Sequence, residues 1–163
     1  MLAYLMKNAL WVALLGSVGA LGTAIIAQYE YDLWPCVLCL YQRWPYAAVI
    51  MISLAGIALH KRIGLGPFLL LCALGFAVTA AIGGYHVGVE QGWWEGTAEC
   101  VGDTAKASSL QELKAKIMST PIVRCDEVAW SLFGISMAGY NIVAGAILAV
   151  FSLIAALSSF KDR

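Results

Sequence analysis

Two cysteines and an arginine are the residues of this sequence best suited to redox chemistry. Cys36 and Cys39 form a C-x-x-C pattern, and Arg43 follows one helical turn later. Pro35 suits the first position of a helix, which would place both cysteines in the first turn, where unpaired N–H groups and the helix dipole favour a thiolate. The same pattern also suits a structural disulfide or half of a zinc site. Attachment of c-type haem is excluded, because Leu40 follows Cys39 where a histidine is required.

The composition places these residues in a membrane protein. Of the 163 residues, 61% are hydrophobic and only 12% are charged, and the mean hydropathy is +0.80. Four apolar windows are close to the roughly 20 residues needed to cross a bilayer; they cover about 10–28, 39–59, 65–87 and 134–157. We therefore predict an all-α fold, an integral membrane four-helix bundle in which 1–163 form a single domain.

The distribution of charge predicts the orientation of the chain. The formal net charge is +0, and no basic tract suggests nucleic-acid binding. The lysines and arginines divide evenly between the two ends of the bundle. One set is crowded into short flanks, where positive residues favour the cytoplasm: Lys7, Lys61, Arg62, Lys161 and Arg163. Most of the other set is diluted through the longer of two outer loops (about 29–38 and 88–133), so both termini are predicted to be cytoplasmic.

Two further cysteines, Cys100 and Cys125, lie in the second outer loop, on the same side as the C-x-x-C pair. An even number of cysteines on an oxidising face suggests disulfides, although the spacing does not determine how they pair. Cys72 stands alone inside the third apolar window. We interpret it as a small buried hydrophobic residue, because free cysteines are commonly buried.

The second outer loop is predicted to carry a short amphipathic helix over about 109–118, between its two cysteines. Ser109 and Glu112 have the spacing of a capping box. The apolar residues that would line one face of this helix, opposite lysines, are Leu110, Leu113 and Ile117. Such a helix would lie on the membrane surface or pack on the top of the bundle, and the sequence favours neither arrangement.

Arg43 lies inside the second apolar window, roughly 6 Å of helix rise below Cys39. One interpretation is that it extends to the lipid headgroups; the other is that it faces the bundle, where charged residues usually mark functional sites. Aromatic residues gather at the same outer face, among them Trp34, Trp44, Trp93, Trp94 and Trp130. They fit an interfacial aromatic belt or the wall of a pocket for a flat ligand.

A redox-active cysteine pair needs an electron acceptor, because forming a disulfide removes two electrons from two thiols. The sequence contains no glycine-rich dinucleotide fingerprint and no iron–sulfur run of cysteines. An acceptor dissolved in the bilayer is the remaining candidate. A quinone fits this position and the predicted pocket.

Several of these motifs occur together in a known family. They are Pro35–Cys39 with Arg43, the pair Cys100 and Cys125, Trp130 with Phe133–Gly134, and Tyr85–Trp94. On these residues, and over essentially the whole chain, the sequence resembles the disulfide bond formation protein B family, bacterial inner-membrane thiol oxidases that recycle the thioredoxin-fold oxidase DsbA. The resemblance implies a multi-pass protein of the bacterial inner membrane whose cysteine loops are periplasmic.

The resemblance implies a relay of thiol–disulfide exchange. A reduced DsbA-like periplasmic protein would attack a Cys100–Cys125 bond, with Cys100 as the site of the mixed disulfide. The resulting dithiol would pass its electrons to Cys36–Cys39, and Cys39 would pass them to ubiquinone or menaquinone. The partners expected are therefore this thioredoxin-fold protein, quinone and membrane lipid, and no oligomer is expected.

The resemblance also implies a quinone site. In the family, the counterpart of Arg43 lies at that site, beside the second cysteine, Cys39. His86, at the outer end of the third span, is a candidate for quinone contact or proton handling, and a capping or interfacial role is equally compatible with its position. Trp44 is a candidate residue of the quinone site. Some members carry an acidic residue where Gln42 stands here, which leaves the ionisation of this site open.

Three alternatives follow from the same residues. All four outer cysteines could ligate zinc, although structural zinc sites usually combine two closely spaced pairs, and Cys100 and Cys125 are far apart in sequence. The chain could instead be a disulfide-stapled scaffold without turnover, which predicts inert disulfides and a freely exchangeable Arg43. A sister oxidase for a dedicated partner is a closer alternative, which the sequence does not separate from a general oxidase.

Overall fold

Four long helices dominate the structure. The computed structural model describes residues 8–97, 100, 109, 111 and 123–161. Within these residues the elements are α1 (Ala9–Glu30), α2 (Val37–Ile63), α3 (Gly66–Glu90), β1 (Ser131–Leu132), β2 (Ile135–Ser136) and α4 (Met137–Lys161). All four of these helices are long and apolar enough to cross a membrane. The prediction of an all-α four-helix membrane bundle is confirmed.

The apolar windows located the helices but not their ends. Every helix continues past the end of its window, as α2 does to Ile63 and α4 to Lys161, because a helix extends beyond the hydrocarbon layer that the window measures. α4 also begins later than its window, at Met137. The short helix predicted over 109–118 lies almost entirely outside the described residues, and the single-domain assignment stays a prediction.

A two-stranded hairpin precedes α4 and was not expected from the sequence. β1 and β2 pair antiparallel, with Leu132 opposite Ile135. The two residues of the turn have positive φ angles, 52° at Phe133 and 77° at Gly134, as a type I′ turn requires. Glycine adopts this conformation readily, whereas Phe133 adopts it with its side chain 91% exposed.

The helices approach one another closely where glycine faces a neighbour. α3 packs against both α2 and α4, and α1 packs mainly against α2. A Cβ atom added at Gly75 of α3 would lie 2.5 Å from Val49 of α2, and one added at Gly145 of α4 would lie 3.1 Å from the backbone oxygen of Phe76 in α3. Small residues of this kind allow close packing in membranes, so these two glycines set the spacing of α2, α3 and α4.

The core lies along the middle of the bundle, and apolar side chains also cover its outside. Val49 and Phe76 are fully buried, whereas Leu15 is 66% exposed on the outer surface of α1. Outward-facing apolar residues are expected where lipid replaces water as the solvent. Cys72 is fully buried in the core with its Sγ 3.6 Å from Ser53 Oγ, an environment that suits a small buried residue.

Candidate redox site

The N-terminus of α2 is organised around the sulfur of Cys36. Cys36 is the N-cap residue, in an extended conformation, and its Sγ accepts a hydrogen bond from the Cys39 backbone N–H at 3.3 Å. The two Sγ atoms lie 3.0 Å apart. The expectation that Pro35 opens the helix is wrong, since the helix begins at Val37. The sulfur of Cys36 itself supplies the partner that an N–H group of the first turn needs.

This position favours ionisation of Cys36. Its pKa is lowered from 9.0 to about 4, chiefly by the hydrogen bond with the Cys39 side chain. Burial opposes the charge, while hydrogen bonding with His86 supports it. In the reduced protein Cys36 is therefore a thiolate at neutral pH, which is the nucleophilic form in thiol–disulfide exchange.

The four cysteines predicted to be redox-active lie in one cluster. Cys36, Cys100 and Cys125 are buried together, and Cys39 packs against them. Cys100 and Cys125 form a disulfide with their Cα atoms 5.2 Å apart, whereas Cys36 and Cys39 are free thiols. Exchange requires a disulfide close to a dithiol, and this cluster holds one of each. This arrangement is also incompatible with a zinc ion held by all four thiolates.

A cavity of about 270 Å³ opens beside the dithiol. Residues of α1, α2, α3 and α4 and of both outer loops contribute to its wall. The side chains with polar or aromatic groups in this wall include Cys36, Cys39, Arg43, His86, Trp34 and Trp130. The α1 side of the wall consists mainly of small and apolar residues. The size is close to the lower end of the ~300–1,000 Å³ range of ligand pockets.

Arg43 faces this cavity and is held by α1. Its guanidinium donates to Gln28 Oε1 at 2.7 Å and to the Ala24 carbonyl at 3.3 Å. Both partners are neutral, and no carboxylate among the described residues forms an ion pair with it. The geometry favours the bundle-facing interpretation of Arg43 over extension to the headgroups, and it leaves the positive charge available to an oxygen atom in the cavity.

His86 lies between the dithiol and the interior of the bundle. The residue is 3% exposed, and its Nε2 is 3.5 Å from Cys36 Sγ and 3.8 Å from Glu90 Oε1. On the other side of the ring, Nδ1 is 3.0 Å from Gln42 Nε2. His86 therefore contacts a reactive sulfur and is not an exposed interfacial residue.

Sequence reasoning missed several polar neighbours of this site. Asn141 donates to Gln42 Oε1 at 2.6 Å, and the Tyr46 hydroxyl donates to Asn141 Oδ1 at 2.6 Å. Glu90 has a side chain only 5% exposed and accepts a hydrogen bond from Ser136. Gln42 and Asn141 carried a usable signal, because each is a polar residue inside an apolar window. Tyr46 carried no such signal, because the sequence does not distinguish it from the other aromatic residues at the outer face.

Trp44 does not line the cavity. Its side chain is 72% exposed, and the cavity wall includes its neighbour Arg43 but not Trp44 itself. One residue turns an α-helix by about 100°, so the residue after an inward-facing arginine points outward. The geometry gives no support to a quinone contact by Trp44, and the aromatic part of the wall comes from Trp34 and Trp130 among others.

The sequence is similar to known proteins over most of its length. The family model described as "Disulfide bond formation protein DsbB" matches residues 6–155. The chain is 34% identical to an uncharacterized protein of Rickettsia prowazekii (strain Madrid E) over 138 residues, which cover 83% of this chain and 78% of that protein. It is 30% identical to disulfide bond formation protein B of Histophilus somni (strain 129Pt) over 162 residues, 96% of this chain and 89% of that protein. No solved structure matches it.

The family match covers most of the chain. The matched residues include all four clustered cysteines, Arg43 and most of the four helices. The chain is therefore a multi-pass membrane protein and a disulfide-forming oxidoreductase. It belongs to the disulfide bond formation protein B family.

Proposed function

We propose that this protein is a thiol:quinone oxidoreductase that reoxidises a periplasmic DsbA-like thioredoxin-fold protein and passes the electrons to a membrane quinone. The observation that carries the proposal is that the Cys100–Cys125 disulfide and the Cys36/Cys39 dithiol share one buried cluster, next to a cavity lined by Arg43. A disulfide-stapled scaffold would need neither the second cysteine pair nor the cavity beside it.

Electrons enter at the outer cysteine pair. Both cysteines are buried, and the resemblance to the family assigns the attack by a thiolate of the reduced partner to Cys100. That attack breaks the Cys100–Cys125 bond and forms a mixed disulfide with the partner. The partner's second thiol then displaces Cys100, which leaves the partner oxidised and both Cys100 and Cys125 reduced.

The inner pair then receives the electrons. The Cys100/Cys125 dithiol reduces a Cys36–Cys39 disulfide by exchange and re-forms its own bond, so two electrons and two protons pass from one pair to the other. The shared buried cluster of the two pairs supports direct exchange without a further carrier. An outer disulfide beside an inner dithiol is the arrangement expected after this exchange and before the electrons leave.

The residues around the cavity suit a quinone. A bound quinone would supply an acceptor for two electrons and two protons. Arg43 would hold one ring oxygen through its guanidinium, whose present partners are neutral, and Cys39 lines the same cavity. The small apolar residues of α1 would exclude water from the ring. Ubiquinone and menaquinone share the chemistry that this site would recognise.

The proposed location is the bacterial inner membrane, with both termini in the cytoplasm and the cysteine loops in the periplasm. The cysteines lie at the end of the bundle where α2 begins and α3 ends, and the basic residues His60, Lys61 and Arg62 lie at the other end of α2. Positive residues favour the cytoplasmic side. Disulfides persist on the oxidising periplasmic side, where the proposed partner is found.

Quinone reduction by the purified protein tests this function. The detergent-solubilised protein is supplied with a reduced DsbA-type protein and ubiquinone-1, and quinone absorbance is followed. We expect turnover that is lost in Cys39→Ala and retained in Cys72→Ala, which replaces a buried cysteine outside the cluster. Absence of turnover with every thioredoxin-fold donor tried, in folded protein, would refute the oxidase function and favour a scaffold. Turnover with one dedicated donor alone would identify a sister oxidase.

A further inference from the structure

A row of polar side chains, buried except for the partly exposed Asn141, continues from the cysteines into the bundle. It consists of His86 of α3, Gln42 and Tyr46 of α2, and Asn141 of α4, and we call it the polar row. Gln42, Tyr46 and His86 are 6%, 4% and 3% exposed. Buried polar groups of this kind are almost always paired, donor to acceptor. The direction of each hydrogen bond in the row can therefore be worked out from its ends.

The inner end of the polar row fixes the amide of Asn141. Its Nδ2 lies 3.2 Å from the backbone oxygen of Thr79, a group that can only accept. Its Oδ1 accepts from the Tyr46 hydroxyl at 2.6 Å. With the amide oriented in this way, Nδ2 also donates to Gln42 Oε1 at 2.6 Å.

The orientation of Gln42 follows from that of Asn141. Because Gln42 Oε1 accepts from Asn141, its Nε2 points to the other side, toward the Leu38 backbone oxygen at 3.2 Å. That oxygen too can only accept. The same Nε2 lies 3.0 Å from His86 Nδ1. Since Gln42 presents an N–H group there, His86 Nδ1 must accept and carries no hydrogen.

We propose that Gln42 is a positioning residue that holds His86 in the neutral tautomer with its hydrogen on Nε2, so that Nε2–H donates to the sulfur of Cys36. Nε2 lies 3.5 Å from Cys36 Sγ. The Glu90 carboxylate, whose Oε1 lies 3.8 Å from Nε2, accepts as well. Gln42 thus selects between the two neutral tautomers from the Nδ1 side of the ring.

This tautomer limits the chemistry of His86. With a hydrogen on Nε2, the ring has no lone pair facing Cys36, so it stabilises the Cys36 thiolate but does not take a proton from the thiol. Nor does it bind a metal ion together with Cys36 and Cys39, although the three ligand atoms lie within 4.8 Å of one another, because coordination needs the Nε2 lone pair. The inference rests on the proposed role of Cys36 in thiol oxidation, but the tautomer exists without turnover.

Nitrogen-15 NMR of the purified reduced protein identifies the tautomer directly, because protonated and unprotonated imidazole nitrogens have well-separated chemical shifts. The chain has 2 histidines, and the His60→Gln variant leaves only the signals of His86. We expect a protonated Nε2 and an unprotonated Nδ1 at neutral pH. A protonated Nδ1, in a neutral ring or in an imidazolium, would overturn the proposal.

Two variants test whether the polar row sets this preference. Gln42→Met keeps the length of the side chain and removes its hydrogen-bonding groups. Asn141→Leu removes the partner that orients Gln42, and among the described residues no hydrogen bond joins Asn141 to His86 or Cys36. We expect a mixture of tautomers in both, and an upward shift of about one unit in the pH midpoint of Cys36 alkylation, as for the loss of one hydrogen bond to a charged group.

The control is Ser53→Ala, which alters another fully buried polar residue of α2 outside the polar row. It should change neither the tautomer nor the alkylation midpoint. If both row variants keep the wild-type tautomer, Gln42 does not set it and the proposal fails. If one variant does not fold, the other variant and the wild-type spectrum still decide. Neither the NMR nor the alkylation measurement uses a protein donor or a quinone. Failure of the proposed oxidase function can therefore be distinguished from failure of the tautomer proposal.

Discussion

At the scale of single residues, Cys36 combines burial with a stable negative charge. Because its pKa is lowered to about 4, the reduced protein keeps Cys36 ionised at every pH above that value and loses the charge only as the pH falls through it. We expect the alkylation rate of Cys36 to change little between neutral and mildly acidic pH. Mass spectrometry of the modified peptide measures this rate.

The control for that prediction is the same protein unfolded in denaturant. There the pKa of Cys36 returns toward its ordinary value of 9.0, and the rate should fall about tenfold for each unit of pH below it. An equally steep fall in the folded protein would show that the Cys39 side chain, the N-cap position and His86 do not stabilise the thiolate.

Arg43 and Trp44 are adjacent in sequence but differ in what they face. We expect Arg43→Gln to raise the KM for quinone by about tenfold or more, because it replaces a charge-assisted hydrogen bond with a neutral one. Trp44→Leu should leave the KM within about twofold, since its side chain is 72% exposed outside the cavity. Steady-state kinetics with varied quinone measures both, and equal effects of the two substitutions would contradict the assignment of the cavity.

The reactive residues could be identified from the sequence more readily than the residues that contact them in the folded protein. Cys36, Cys39 and Arg43 were recognisable because their spacing on one helix carries the signal. The contact between His86 and Gln42 was not recognisable from the sequence, because it joins α2 to α3 across 44 positions. The direction of Trp44 was also missed, since aromatic composition at a membrane interface does not say which side of the helix a ring occupies.

At the scale of the helices, glycine determines how closely α3 and α4 approach. Gly145→Val should destabilise the bundle by about 1–3 kcal/mol, because even a Cβ atom there would lie 3.1 Å from the backbone oxygen of Phe76, which cannot rotate away. Gly19→Val of α1 is the matched control, since a Cβ atom there meets nothing within 4 Å. Thermal unfolding in detergent compares them, and similar melting temperatures would contradict this account of the packing.

The elements were predictable in proportion to their length. Each helix has 22 to 27 residues, so its apolar character dominates any window. The hairpin has strands of two residues, too short for an alternating pattern to emerge. Its turn at Phe133–Gly134 contained a glycine in the right place, but the preceding phenylalanine is not a residue that suggests a positive φ angle.

At the scale of the whole molecule, the proposed orientation can be tested with fusions. Green fluorescent protein fused after Arg163 should fluoresce, and alkaline phosphatase fused there should be inactive, because the C-terminus is proposed to lie in the cytoplasm. Alkaline phosphatase fused after Trp93, just past the end of α3, should be active. The opposite pattern would reverse the topology and remove the cysteines from the compartment of a DsbA-like partner.

The N-cap position of Cys36 has a consequence for the helix itself. A thiolate accepts a hydrogen bond more strongly than a disulfide sulfur does, so oxidation of the inner pair weakens the cap on the Cys39 N–H by about 1 kcal/mol. Amide hydrogen exchange at Cys39 should therefore be faster when the inner pair is oxidised, and equal rates in the two states would show that the cap is insensitive to oxidation. The two electrons held by the dithiol would thus also tighten the first turn of α2, so that the local order of a membrane helix rises and falls with each catalytic cycle.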